Sequence, residues 1–195
     1  MVSNEHINVI KRNGRGPETL DIDKIHSMVG FATEGITGVS ASHVEMNSGL
    51  QFFDGISTED IQQILIKSAN DLISLESPNY QYVAARLLLF SLRKSLHHRL
   101  WEHPKFITHI KKLVDLGLYD KGILDNYTEA EIDRMGMWID HERDYSFTYA
   151  GLRQVMDKYL VQDRSTGEIF ETPQFMYMMI SATLFAKYPK ESRLQ

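Results

Sequence analysis

The 195 residues include no cysteine. Disulfides, cysteine-ligated zinc or iron–sulfur sites, and thiol or thiyl-radical catalysis by this chain alone are therefore excluded. Long apolar runs are missing too. None approaches the roughly 20 residues that a membrane-spanning helix needs, and the N-terminal stretch through Gly14 has no signal-peptide core. The cytoplasm is the expected location. There is no excess of positive charge: the net charge of −5 argues against a surface built for nucleic acid or anionic membrane, while leaving room for a local basic pocket. Neither a phosphate-binding P-loop nor a dinucleotide Gly-x-Gly-x-x-Gly fingerprint occurs. What remains, 43% hydrophobic and 24% charged residues, is the composition of a globular protein of one or two domains.

Charge is distributed unevenly. From Arg86 to Lys112 the bases are Arg86, Arg93, Lys94, Arg99, Lys105, Lys111 and Lys112, with Glu102 the lone acid. From Leu113 to Asp144 acids predominate. Two readings stand: solvated faces of opposite sign, or a basic helix end near Arg93 and Lys94 that meets an anion.

The pattern is mainly helical. Ile7, Val9 and Lys11 alternate with Asn8 and Ile10, Asn13-Gly14 offers a turn, and Thr19 to Ile22 resumes alternation, which predicts an N-terminal β-hairpin. Ile25, Met28, Val29 and Ala32 then form a helical stripe ending at Gly35, and Ser40 opens a second helix with Val44 and Leu50. Ser57-Thr58-Glu59-Asp60 is a helix start, with Ile61, Ile64, Leu65 and Leu72 on its buried face. Ser77-Pro78 is expected to open a fourth helix with Pro at its first position, and with Val83, Leu87 and Phe90 facing the core. His103-Pro104 marks a boundary. Beyond it come a stripe at Ile107, Ile110, Leu113 and Val114, a capping box at Thr128 to Glu131, and a second hairpin from Tyr159 to Glu171. Thr172-Pro173 then opens a helix carrying Phe175, Met176, Met179, Ile180 and Leu184.

Few clusters suggest chemistry. His97, His98, His103 and His109 have no spacing that aims two imidazoles at one metal, and Asp140 to Asp144 reads as a salt-bridged turn. No Ser/His/acid set stands out. A stronger possibility is an anion site without a named motif, in which Lys11, Arg12 and Lys24 converge with the helix start at Ser57-Thr58.

The run Val9-Ile10-Lys11-Arg12-Asn13-Gly14 followed by Leu20-Asp21-Ile22-Asp23-Lys24-Ile25 resembles the ATP cone, the regulatory domain at the N-terminus of many ribonucleotide reductase large subunits. Tyr80-Gln81-Tyr82-Val83-Ala84-Ala85-Arg86-Leu87 is similar to the fourth cone helix of class I large subunits of enterobacterial and T-even-phage type, and His141 to Asp144, Tyr159 to Val161 and Glu171 to Phe175 resemble the approach to their catalytic barrel. The resemblance implies a hairpin capping a four-helix bundle over residues 1–95, and a helical region with a short hairpin over 96–195.

It further implies ATP or dATP as effector, with Mg2+ carried by the phosphates. Val9, Glu18, Leu20, Asp21 and Ile25, with Phe52 nearby, would hold base and ribose. Lys11, Arg12, Lys24, Thr58 and Lys94 would meet phosphates, with Gln62 beside them. Asp21 stands where an amide is expected, and Gln62 and Ser91 where histidines are. The implied partners are the catalytic barrel of the large subunit and the small, radical-generating subunit, in an oligomeric complex. Reduction of ribonucleotides in this family needs cysteines on the barrel, so the chain is expected to be a regulatory fragment or one piece of a split subunit. A helical interaction module that has lost nucleotide binding is the alternative. A cone-containing repressor, which would need a cysteine-rich zinc ribbon, is excluded.

Overall fold

The computed structural model describes residues 7–11, 16–49, 51–97 and 101–194. Asn13-Gly14, Arg12, Leu50 and His98 lie outside them. Strand β1 (Asn8–Ile10) pairs antiparallel with β2 (Glu18–Thr19), setting Val9 against Glu18. The sheet has a third member. Strand β3 (Ile56–Ser57) runs parallel to β1 on its other edge, with Val9 opposite Ile56 and Ile10 opposite Ser57.

The expected second strand is shorter at its end. The Leu20 N–H still donates to the Ile7 carbonyl at 2.7 Å, but Asp21 turns out of the sheet and its carboxylate accepts from the Lys24 N–H at 3.3 Å. That makes Asp21 the N-cap of α1 (Ile22–Thr33) and moves Ile22 from strand to helix. Ile25, Val29 and Ala32 are buried, as the stripe predicts. The chain leaves α1 through Gly35, whose φ of 71° suits a residue without Cβ.

Helix α2 (Ala41–Gly49) packs on α1 and on α3 (Thr58–Asp71). Ser57 caps α3, its hydroxyl accepting from the Asp60 N–H at 2.9 Å, and Ile61, Leu65, Ile66 and Ala69 are buried behind it. Helix α4 begins at Tyr80 and runs to His97. Pro78 is therefore not its first residue: Pro78 and Asn79 form a lead-in turn whose carbonyls accept from the N–H groups of Gln81 and Tyr82. The Tyr80 hydroxyl, itself buried, accepts from the Ser40 N–H at 3.0 Å and anchors that turn.

The chain divides into two compact units, Met1–Ser91 with Tyr145–Leu152, and Leu92–Asp144 with Arg153–Gln195. The second holds α5 (Phe106–Asp115), α6 (Gly122–Asn126), α7 (Glu129–Met137) and α9 (Pro173–Phe185). Ile110, Leu113, Ile132 and Phe175 belong to its core. Helices α5 and α7 meet closely at Gly136, where an added Cβ would stand 3.1 Å from that of Phe106. The capping box is present: Thr128 accepts from the Glu131 N–H while the Glu131 carboxylate accepts from the Thr128 N–H. The second hairpin is reduced to one bridged pair, Gln162 with Ile169, and the Phe170 N–H donates to Val161. On α9, Pro173 is at the first position as read, and Phe175 and Met176 are buried, but Ile180 and Leu184 are exposed.

The turn from Asp140 to Asp144 leads into a 3-10 helix (His141–Ser146). Asp144 is buried, 3.6 Å from Arg93 and 2.8 Å from the Gln174 amide nitrogen that donates to it. Arg93 also donates to the His141 carbonyl at 2.5 Å. The anion near the basic helix end is thus supplied by the chain itself, as far as Arg93 is concerned. The His103 ring stacks on His141 with centroids 3.6 Å apart, and His97 meets His103 edge-on. Helix α8 (Tyr149–Lys158), which precedes α9, begins in the first unit and ends in the second.

Candidate functional site

Sheet register brings the predicted residues together. Because Ile10 stands opposite Ser57 in the parallel pair, Lys11 and Thr58, next in each segment, emerge at one end of the sheet. Glu18, opposite Val9 on the other edge, forms an ion pair with Lys11. Its second carboxylate oxygen lies 3.6 Å from Lys24 Nζ on the first turn of α1, and Asp21 lies 3.0 Å from the same ammonium. Lys11, Glu18, Asp21 and Lys24 therefore form one chain of alternating charge across the hairpin and the start of α1.

The electrostatics follow from those contacts. The hydrogen bond from Lys11 holds the Glu18 carboxyl below the usual glutamate range, with help from Lys24. Lys24 does the same for Asp21, with further lowering from the backbone N–H that Asp21 caps. In return Asp21, and then Glu18, keeps the Lys24 ammonium more firmly protonated than usual. All these groups are at the surface: the Lys24 side chain is 70% exposed, so a solute can reach it and screening keeps the pairs weak.

The same stretches carry apolar side chains. Val9 and Ile25 are buried, and Leu20 and Phe52 are half-buried. The turn bearing Phe52 is pinned to β1 by Asp54, whose carboxylate accepts from the Asn8 N–H at 2.8 Å and its side-chain amide at 3.0 Å. These bonds lower the Asp54 pKa. The Gly55 N–H donates back to the Asn8 carbonyl at 2.8 Å, with φ of 82°. Sequence reading missed Asp54; the Asp-Gly pair was its visible signal, a turn former between two apolar stretches.

Two predicted residues are placed differently. Gln62 is buried and its amide donates to the Leu87 carbonyl at 2.9 Å, joining α3 to α4. Lys94 is exposed on the last turn of α4, in the second unit. Arg12 lies outside the described residues. A cleft of about 690 Å³ in the second unit, lined by His97, His103, Lys112, Glu168 and Phe170 among others, includes none of the predicted residues. Among the described residues no group of three or more His, Cys, Asp or Glu could hold a metal ion, and no helix is long and apolar enough to cross a membrane.

Residues 7–95 match the ATP cone domain family, and residues 145–194 the all-alpha domain of ribonucleotide reductase. The chain is an ATP cone followed by ribonucleotide reductase all-alpha sequence. It is 50% identical over 191 residues to the ribonucleoside-diphosphate reductase subunit alpha of Haemophilus influenzae, and 48% identical over 192 residues to the subunit alpha of the corresponding reductase 1 of Escherichia coli. Each comparison covers 98% of this chain and 25% of the relative. The subunit alpha of Enterobacteria phage T4 is 44% identical over 94% of this chain and 24% of its own length. The chain therefore spans about a quarter of the length of the curated relatives it matches.

An ATP cone is a nucleotide-binding domain, and the hairpin, α1 and the start of α3 in this cone offer the pieces such a ligand uses. Apolar side chains such as Val9, Leu20, Ile25 and Phe52 suit a flat base. The ammonium groups of Lys11 and Lys24 suit phosphate oxygens, and the first turn of α3 adds the positive end of a helix dipole. Glu18 and Asp21 are acceptors for ribose hydroxyls or an exocyclic amine.

Proposed function

We propose that the cone binds ATP or dATP, with Mg2+ carried by the phosphates, and thereby sets the overall activity of a ribonucleotide reductase large subunit in the cytoplasm. The observation that carries this reading is the alternating chain Lys11, Glu18, Lys24, Asp21 across the hairpin and α1, inside the stretch that matches the ATP cone. Base and ribose lie on Val9, Glu18, Leu20, Asp21, Ile25 and Phe52. Phosphates draw Lys11 and Lys24 away from their acids, toward Thr58, with Arg12 and Lys94 as further cations and Gln62 behind. Residues 1–95 form the regulatory domain and 96–195 lead into the catalytic barrel of the same subunit. The small, radical-generating subunit is the other partner of the assembly.

Regulation requires that the two nucleotides favour different assembly states. They differ by one 2′-hydroxyl, whose hydrogen bond contributes on the order of 1 kcal/mol, so the switch depends on amplification by assembly. Calorimetric titration with Mg-ATP and Mg-dATP, comparing the native chain with Lys11→Ala and Lys94→Ala, tests the reading. Binding tighter than about 1 mM, equivalent to roughly −4 kcal/mol, and weakened in both variants, is expected. Absence of binding by either nucleotide rejects the regulatory reading; unchanged binding in both variants rejects the site.

A second reading, a cone that serves only as a helical interaction module, draws support from two observations. Both lysines already have carboxylate partners, and Gln62 is committed to Leu87. The same titration separates the two.

A further inference from the structure

The C-terminal end of α1 has no basic residue of its own in its last turn, yet its carbonyls are not left to water. Arg86 on α4 reaches across, its Nη1 donating to the Glu34 carbonyl at 2.6 Å and the Ala32 carbonyl at 3.4 Å. A cation at this end also complements the helix dipole. The opposite face of the same guanidinium is engaged too: its central carbon lies 5.5 Å from the centroid of the Tyr145 ring. One helical turn further along α4, Phe90 meets that ring edge-on at 6.2 Å.

Tyr145 is no ordinary neighbour. It opens the stretch that matches the all-alpha domain, yet Tyr145–Leu152 folds with the first unit while the residues on both sides belong to the second. The segment then continues as α8. At its far end, α1 begins with Asp21, Lys24 and Ile25, and its 12 residues span about 18 Å as a stiff rod.

We propose that Arg86 is a positioning residue that couples the nucleotide-bearing helix α1 to the segment Tyr145–Leu152. The inference rests on the nucleotide reading above and adds where occupancy is read out. A shift of α1 on binding moves the Ala32 and Glu34 carbonyls, and the guanidinium that follows them changes its hold on the Tyr145 ring. Arginine is suited to this, because its planar fork can bond carbonyls at one edge while its face rests on an aromatic ring. The Nε of Arg86 is buried without a hydrogen-bond partner among the described residues, so the grip is made at Nη1 and the ring face alone.

The reporters are the amides of Gly151 and Leu152, which bond to the Thr148 hydroxyl at 3.2 Å and carbonyl at 2.9 Å. Hydrogen–deuterium exchange at these two amides, in the full chain with and without saturating Mg-ATP, is paired with calorimetry on the same samples. In the native chain ATP should change their exchange rates by about fivefold or more, the low end of usual coupling between sites. In Arg86→Gln and, independently, in Tyr145→Leu, the change should fall below about twofold while the ATP affinity stays within about threefold. Tyr145→Leu leaves α1 untouched and keeps the test open if Arg86→Gln does not fold.

If ATP binds and the native amides do not respond, or if the response survives in both variants, the coupling is overturned and the nucleotide reading stands. If ATP does not bind, the nucleotide reading fails by itself, and a ligand-free arm then judges the coupling. Asp21→Ala, which removes the α1 N-cap, should speed exchange at Gly151 and Leu152 in the native background but not alongside Arg86→Gln. Equal acceleration in both backgrounds, or none in either, overturns the coupling too.

Discussion

Two charged clusters in this chain both set a base against a carboxylate and have opposite physics. In the first unit, Lys11, Lys24, Glu18 and Asp21 pair at the surface, where water and salt compete for every charge. In the second unit, Arg93 and Asp144 are 2% and 0% exposed in their side chains, and the His141 carbonyl and the Gln174 amide bond to them. Pairs of the first kind come apart at little cost, which is what a lysine needs if it is to exchange a carboxylate for a phosphate. Pairs of the second kind cannot come apart, because either partner alone would be a buried charge. One arrangement is suited to ligand exchange and the other to holding a fold.

The sharpest way to break this contrast is to remove one buried partner. Asp144→Ala removes the buried carboxylate that faces Arg93 and frees the Gln174 amide, and should lower the stability of the chain in urea by about 3–5 kcal/mol. A loss below about 1 kcal/mol would put this pair in the surface class. The next effect is on affinity. Lys24→Ala should weaken Mg-ATP binding about tenfold, as expected for one charge-assisted hydrogen bond, with no shift of the urea midpoint. A midpoint shift without an affinity change would make Lys24 structural.

Acid should separate the regions too. Burial lowers His103 and His109 to about 3 and His141 to about 4, with neighbouring positive charge adding to the effect. The unfolded chain therefore takes up more protons than the folded one as pH falls from about 6.5 toward 4, and the second unit loses stability over that range. Asp144 opposes this: burial raises it to about 6 despite Arg93 and Gln174, so its own contribution to stability grows as pH falls from 6 toward 4. Burial raises Glu171 as well, and three imidazoles outweigh the two carboxyls. Exchange at the α5 amides should speed up between pH 6.5 and 4, after correction for intrinsic rates, and replacing His103 by Phe should reduce that acceleration. Acceleration that is the same in the variant would mean the imidazoles are not its source.

The smallest expected effect is a gain. Asp21→Asn keeps an N-cap acceptor of equal quality but removes the carboxylate nearest Lys24 and any incoming phosphate. Affinity for Mg-ATP should rise about threefold at low salt, and the gain should shrink as salt is added. A loss of affinity would instead mean that the bond Asp21 accepts from base or ribose outweighs its repulsion of phosphate.

Signals confined to a few consecutive residues were legible in the sequence. The Thr128–Glu131 capping box, the Ser57 cap, Gly35 after α1 and Pro173 at the head of α9 each depend on neighbours within one turn, and each is where the pattern put it. Pro78 misled because a proline before a helix fits a lead-in turn as well as a first helical position, and the Tyr80 hydroxyl bond to Ser40, forty residues away, decided between them. Strand β3 had no signal at all: two residues have no periodicity, and each pairs with a β1 residue 47 positions earlier. The apolar pattern of α9 placed Phe175 and Met176 correctly but said nothing about Ile180 or Leu184, since a helix apolar on all sides does not reveal which side is covered.

By itself the sequence determined the starts of α3, α7 and α9, the absence of cysteine chemistry and the residue types available for a nucleotide, because these follow from local spacing and from composition. Tertiary structure alone decided which charges meet. It set Lys11 beside Glu18 and Thr58 through strand register, enclosed Arg93 with Asp144, and placed Arg86 between the end of α1 and Tyr145. Apart from Lys11 and Glu18, which face each other across one hairpin, these contacts join residues far apart in the chain, and the energy of such a pair depends on burial, which no local pattern specifies.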